Sequence, residues 1–188
     1  GDCVAGIASL PAGSIDLVIA DPPYNIAVQG APWDTVPDYM AWSTKWLTEC
    51  VRVLRPGGQL FIYGSPQKLW ICHLKLLADS LGLEFKQHIS WVYKQGGDSR
   101  LKGMTSYSVR MEHLEWFVKP GAAHVFNAEA AAEPYTEAEA AEALAKGVGR
   151  VTAEALQRGR PPKNWWEIPR ENSRSKERQY GLHPSMKP

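Results

Sequence analysis

The sequence has no run approaching the roughly 18 uninterrupted apolar residues that a membrane helix requires, and its first residues lack the basic start and apolar stretch of a secretory signal. No membrane partner is expected. Cysteine is scarce too: Cys3, Cys50 and Cys72 are odd in number and widely spaced, so neither a disulfide framework nor a zinc site on paired Cys-x-x-Cys ligands is encoded. A reducing cytoplasmic setting follows as the expectation. Charge of one sign is equally thin, since a formal net charge of +1 over 188 residues argues against a uniform basic coat for nucleic acid. No metal constellation is legible either: His73, His88, His113 and His124 are scattered, and His73 is expected on a core face in a structural role. What is present, 44% hydrophobic and 22% charged residues, suits one globular domain with an appendage. The chain opens at Gly1 without an initiator Met and stops at Pro188 inside what reads as a motif, so a trimmed chain is expected.

Ser14 to Ala20 (SIDLVIA) is a short apolar run suited to a strand buried on both faces, ended by the breaker Asp21-Pro22-Pro23. From Asp38 to Leu54, the recurrence of Tyr39, Trp42, Trp46, Cys50 and Val53 predicts a helix with one buried face, stopped by Pro56-Gly57-Gly58. Gln59 to Gly64 predicts a second strand. Pro66 to Leu81 predicts a second helix with Leu69, His73, Leu74, Leu77 and Leu81 on one face. Two longer strands are expected at Glu84 to Lys94 and Met111 to Lys119. Strands alternating with amphipathic helices imply an α/β fold with a mainly parallel sheet covered on both sides. After Pro120 the composition turns Ala/Glu-rich, with Thr136 and Glu139 spaced as a capping box and Gly147 as a C-terminal cap. Residues 120 to 149 carry five acids against one base, whereas residues 150 to 188 carry nine Lys/Arg against four Glu. The basic charge is therefore C-terminal.

The tetrapeptide Asp21-Pro22-Pro23-Tyr24 stands directly after the first strand, where ligands collect in open parallel sheets. Its simplest structural use is a proline turn ending a strand, with Asp21 capping and Tyr24 packing. Its chemical use is more specific. Asp21 supplies a carboxylate acceptor, and the carbonyl of Pro22 is a second one on a backbone unit without an N–H. Two acceptors can hold both hydrogens of one exocyclic NH2 group and favour a pyramidal nitrogen, whose lone pair is then aimed at an electrophilic methyl. Tyr24 can stack on the base, which must first leave the duplex. Trp33 offers a second aromatic contact or, alternatively, a local hydrophobic anchor.

The Asp21-Pro22-Pro23-Tyr24 element after SIDLVIA, the opening Gly1-Asp2-Cys3, the LRPGG turn before QLFIYG and the closing His183-Pro184-Ser185-Met186-Lys187-Pro188 together resemble the permuted β-class DNA amino-methyltransferases, in that order. The resemblance covers nearly the whole chain apart from roughly residues 120 to 160. It implies a Rossmann-like S-adenosylmethionine-dependent methyltransferase sheet, incomplete in this chain, with a mainly helical target-recognition insertion. The implied division is a partial catalytic core over 1–119, a target-recognition region over 120–165 and a return segment over 166–188. Asp21, Pro22, Pro23 and Tyr24 are the implied catalytic group, and Asp2, Cys3, Ala20, His183 and Lys187 the implied cofactor contacts. Double-stranded DNA is the implied substrate, with Trp33, Arg100, Lys102, Arg158, Arg160, Lys163, Arg174, Lys176 and Arg178 as candidate contacts. The Asp-Pro-Pro-Tyr form resembles adenine N6 enzymes, whereas many cytosine N4 members carry Ser first.

His183 beside a proline is not expected to act as a base, because the family transfers its methyl group directly. The family's glycine-rich cofactor loop would follow the His183 element. Neither Pro56-Gly57-Gly58 nor Gly147-Val148-Gly149 replaces it, so an exposed hydrophobic strand edge is expected beside SIDLVIA. The implied partners are a second copy or a completing chain, and a cognate restriction enzyme, in a bacterium or a bacterial virus. The alternative readings are a cytosine N4 methyltransferase and a non-catalytic DNA-binding half of a split methyltransferase.

Overall fold

The computed structural model describes residues 2–93, 103–146 and 152–170. Its contacts divide into two compact units, one of residues 2–124 with 165–170 and one of residues 125–164. The first unit is built on a five-stranded sheet in the order β1-β2-β4-β3-β5, formed by β1 (Ile15–Ala20), β2 (Leu54–Gly64), β3 (Glu84–Val92), β4 (Met111–Val118) and β5 (Trp165–Glu167). β1 and β2 are parallel, as are β3 and β5, while β4 is antiparallel to both β2 and β3. Four strands therefore share one direction, and β4 alone runs against them. The expected mainly parallel sheet is observed, with one reversed strand wedged between β2 and β3.

Three helices belong to this unit: α1 (Cys3–Ala8), α2 (Tyr39–Val53) and α3 (Trp70–Ser80). The α2 stripe buries Tyr39, Trp46, Cys50 and Val53 as its spacing predicts, and adds Ser43 and Leu47. Its first turn is capped by Asp38, whose carboxylate accepts from the Ala41 N–H at 3.1 Å. Tyr39, Trp46, Leu47 and Cys50 meet Leu54, Leu60, Ile62, Ile71, Leu74, Ala78 and Phe117 in the main core. Each large aliphatic or aromatic side chain buried there contributes about 1.5–3 kcal/mol. Lys119, at the end of β4, donates to the carbonyls of Val51 and Leu54 at 2.7 Å, satisfying groups left open where α2 gives way to β2.

Several boundaries differ from the sequence reading. The Pro56-Gly57-Gly58 segment does not separate α2 from a later strand; it is an irregular stretch inside β2, where the β1 register jumps between Ile15 and Leu17. Gly57 has φ +75, and a Cβ there would lie 2.5 Å from the Ala123 carbonyl oxygen, so this close crossing requires glycine. α3 begins at Trp70 rather than Pro66, with Leu69 before it 70% exposed; its buried face is Ile71, Leu74 and Ala78, and His73, expected on the core face, is exposed. Burial of β1 on both faces also fails, since β1 is an edge strand with Leu17 48% and Ile19 63% exposed. The expected apolar strand edge is present.

The second unit contains α4 (Ala128–Ala131), α5 (Glu137–Lys146) and α6 (Ala153–Arg158). Pro134 divides the Ala/Glu-rich stretch into two helices. The capping box forms at α5: the Thr136 N–H donates to Glu139 Oε2 at 2.9 Å, and the Glu139 N–H donates to Thr136 Oγ1 at 3.2 Å. Gly147 lies outside the described residues.

Candidate active site

Asp21 follows the last residue of β1 and is solvent-exposed. Ala20 pairs with Ile62, which puts the turn level with Tyr63 near the carboxyl end of β2. The reversed strand β4 starts at the same edge, where Glu112 pairs with Trp91 and Leu114 with Tyr63. Asp21, Tyr63, Glu112 and the end of β3 thus share the carboxyl rim of the sheet, where helices leave a crevice in open α/β folds.

The turn is held from several sides. Tyr24 donates its hydroxyl to Glu112 Oε2 at 2.7 Å, and Tyr39 donates to the carbonyl of Pro23 at 2.7 Å. Beyond Tyr24 the backbone enters the left-handed region at Asn25 (φ 54) and Ala27 (φ 53), a conformation that side-chain-bearing residues resist. Asp34, 1% exposed, holds it there by accepting from the N–H groups of Asn25 at 2.8 Å, Ile26 at 3.1 Å and Val28 at 2.8 Å. Asn25 in turn accepts from the Val36 N–H at 2.8 Å. Burial, followed by the charges of Asp21 and Glu112, pushes the Tyr24 hydroxyl far above its ordinary range. The same three causes raise Tyr63. Both phenols therefore stay neutral beside two carboxylates.

The remaining sequence candidates fall in different places. Asp2 caps α1, one carboxylate oxygen accepting from the Ala5 N–H at 2.9 Å, and Cys3 begins that helix as an exposed thiol. Trp33 lies in a 3-10 turn over Pro32–Asp34 and is 41% exposed. Arg158 is exposed in the last turn of α6. Arg160 and Lys163 are engaged within the second unit. Arg160 donates to Glu139 at 2.9 Å and to Glu133 at 3.3 Å, with its guanidinium 5.3 Å from the centre of the Tyr135 ring; Lys163 pairs with Glu133 at 3.3 Å. The Thr136 N–H first, and Arg160 next, hold the Glu139 carboxyl down at about 2. Arg100, Lys102, Arg174, Lys176, Arg178, His183 and Lys187 lie outside the described residues.

Three contributors escaped the sequence reading: Glu112, Asp34 and Tyr39. The first is 88 residues from the tyrosine it anchors, so no local spacing signals the contact. Asp34 follows the noted Trp33, and a buried carboxylate among loop residues has no local pattern of its own. The reading of the histidines as scattered is corrected for two of them. The β3–β4 register sets His88 opposite Glu115 and Ser90 opposite His113, which brings both imidazoles and one carboxylate together on the α3 side of the sheet.

Known proteins share this architecture. A DNA methylase family profile, covering N6 and N4 enzymes, matches residues 15–188. The chain belongs to the N6/N4 DNA methylase family. It is 30% identical to the type II methyltransferase M.HpaI of Haemophilus parainfluenzae, across the full length of this chain and 54% of that protein. It is 28% identical to the DNA adenine methyltransferase YhdJ of Escherichia coli strain K12, across the full length of this chain and 62% of that protein. The chain thus spans between about half and three fifths of these curated relatives. Among solved structures, the cytosine-N4-specific PvuII DNA methyltransferase superposes with a TM-score of 0.67 at 15% identity, covering 100% of this chain and 64% of that one. TTHA0409 from Thermus thermophilus, complexed with S-adenosyl-L-methionine, superposes with a TM-score of 0.55 at 20% identity, covering 91% of this chain and 66% of that one. These likenesses establish a shared mixed α/β fold.

Proposed function

We propose that the chain is the base-handling part of a β-class DNA methyltransferase that moves a methyl group from S-adenosylmethionine to N6 of an adenine flipped out of double-stranded DNA. The observation that carries this reading is an exposed Asp21 carboxylate at the carboxyl rim of the sheet, followed by two prolines and a tyrosine anchored through Glu112. Asp21 and the Pro22 carbonyl accept the two amino hydrogens, and Tyr39 steadies the next carbonyl, that of Pro23. Tyr24, its hydroxyl tied back, offers its ring to the displaced base. S-adenosylmethionine supplies a sulfonium-bound methyl group. With the amino nitrogen held pyramidal by these two acceptors, its lone pair would face the donor's methyl group, and the solvent-facing Asp21 carboxylate would lie where the surplus proton leaves.

Asp2, Cys3 and Ala20 are assigned to the methyl donor. The exposed Asp2 carboxylate suits the hydroxyl and amino donors of a nucleoside, and Ala20 adjoins Asp21 with a side chain too small to crowd the rim. His183 and Lys187 complete the assignment. The region over 120–165 is assigned to target recognition; Arg158, Lys163, Arg174, Lys176, Arg178, Arg100 and Lys102 are assigned to phosphates, and Trp33 to an aromatic contact. A cognate restriction enzyme and self-association belong to the same reading, as does a cytoplasmic site of action in a bacterium or bacterial virus. The name of YhdJ, a DNA adenine methyltransferase, supports adenine as the target, and that of M.HpaI, a type II methyltransferase, supports the restriction setting. The test is to incubate the complete gene product with DNA and methyl-labelled donor, then separate the nucleosides. N6-methyladenine is expected; N4-methylcytosine would transfer the same geometry to cytosine, and no labelled nucleoside would overturn the proposal.

A further inference from the structure

We propose that His88, His113 and Glu115 form a zinc-binding site on the α3 side of the sheet, the face opposite the one from which Glu112 reaches Tyr24. Residues 113 and 115 project to the same side of β4, and the β3–β4 register places His88 directly across from Glu115. Their potential ligand atoms all lie within 4.8 Å of one another. A tetrahedral zinc ion with bonds of about 2.0–2.1 Å sets its ligands roughly 3.3–3.4 Å apart. His88 Nδ1 stands 3.0 Å from Glu115 Oε1, and His113 Nδ1 stands 4.0 Å from it. Side-chain rotations of well under an ångström to about one ångström therefore suffice to seat the ion. Two imidazoles and a carboxylate are a donor set zinc takes with water in the fourth position, and both histidines are half-buried, so water can reach that position.

Two further features fit an ion. The Glu115 side chain is only 5% exposed, so its charge needs close partners. The Lys75 ammonium, 3.2 Å from Oε2, gives that oxygen an ion-pair partner and leaves Oε1 turned toward the two histidines. Lys75 thus orients the carboxylate from behind, as an outer-shell group orients a ligand. His88 Nε2 lies 3.0 Å from Ser90 Oγ. Without an ion, His88 Nδ1–H donates to Glu115 and the Ser90 hydroxyl donates to Nε2. With one, the proton resides on Nε2, Ser90 accepts it, and the Nδ1 lone pair faces the metal. The hydroxyl serves both tautomers, so the exchange needs no outside proton.

The experiment is a zinc titration of the chelator-treated full chain against a chromogenic competitor, with cobalt(II) substituted for zinc as a spectroscopic probe. One zinc per chain is expected, with visible cobalt absorption of tetrahedral strength. Binding must persist when the exposed thiols are removed by Cys3→Ser and Cys72→Ser. His88→Gln and His113→Gln are each expected to weaken it at least about tenfold, since even outer-shell partners of zinc ligands are worth 10–100-fold. Circular dichroism of the metal-free variants checks that each remains folded. Absence of stoichiometric zinc in the unaltered chain would overturn the proposal, as would undiminished affinity in a folded Gln variant. The unaltered chain decides the matter even where a variant fails to fold.

Discussion

Asp34 shows how a residue outside the proposed chemistry can govern the turn to which that chemistry is assigned. Its buried carboxylate accepts three backbone N–H groups from a loop with two non-glycine residues at positive φ. A left-handed conformation costs such residues roughly 1–2 kcal/mol apiece, while each hydrogen bond to a charged group contributes about 1.5–3 kcal/mol. The hydrogen bonds win, and the turn after Tyr24 has one shape. Asp34→Ala is therefore expected to destabilise the first unit by at least about 3 kcal/mol in urea denaturation, with Asp34→Asn intermediate because one acceptor oxygen survives. An unchanged denaturation midpoint in Asp34→Ala would show that the loop holds itself. Glu112 acts at the same scale, joining Tyr24 to β4.

At the scale of elements, what is legible in the sequence is what repeats locally. The α2 stripe reads correctly because one face of a continuous helix is buried, and Thr136 with Glu139 reads correctly because a capping box closes over three residues. The Asp21 turn is visible because prolines punctuate an apolar run. Pairings between elements are not. β4 enters between β2 and β3, and that choice creates both the Glu112 contact and the His88–His113–Glu115 cluster. β5 is three residues long, too short for any periodicity. α3 starts later than the sequence suggests because Pro66 opens a turn rather than the helix, and its buried face centres on Ile71, Leu74 and Ala78, a stripe that the neighbouring leucines mask in the sequence.

Glu139 gives α5 a pH dependence of known sign. Its carboxyl is held at about 2 against an ordinary value of 4.5, so the folded helix favours the charged form. The stabilisation is fully present above about pH 4.5 and is lost as pH falls toward 2. Helicity of the second unit should decline across that window, followed by a spectroscopic probe placed in α5. Glu139→Gln should flatten the decline; an identical profile in that variant would assign it to other carboxylates.

At the scale of the whole molecule, charge is partitioned rather than spread. Arg160 is committed to Glu133 and Glu139, whereas Arg158 is exposed at the end of α6. Under the proposed function, Arg158→Ala should lower the steepness of the salt dependence of DNA affinity by about one unit, as loss of one phosphate contact does. Arg160→Ala should instead loosen the second unit and leave that slope nearly unchanged. Equal slopes in Arg158→Ala and the unaltered protein would remove Arg158 from the interface. The sheet also carries exposed apolar side chains, Leu17 and Ile19, on its edge strand β1, while its other edge is the three-residue β5, whose residues are all exposed.

The most direct measurement compares single-turnover methyl transfer with DNA affinity in Asp21→Ala, using the complete gene product. Removal of one preorganised hydrogen-bonding group at a reacting centre lowers rates by about 10²–10³-fold. The account predicts a loss of at least that size with DNA binding retained within a few-fold. Methyl transfer at the unaltered rate, with Asp21 gone, would contradict it.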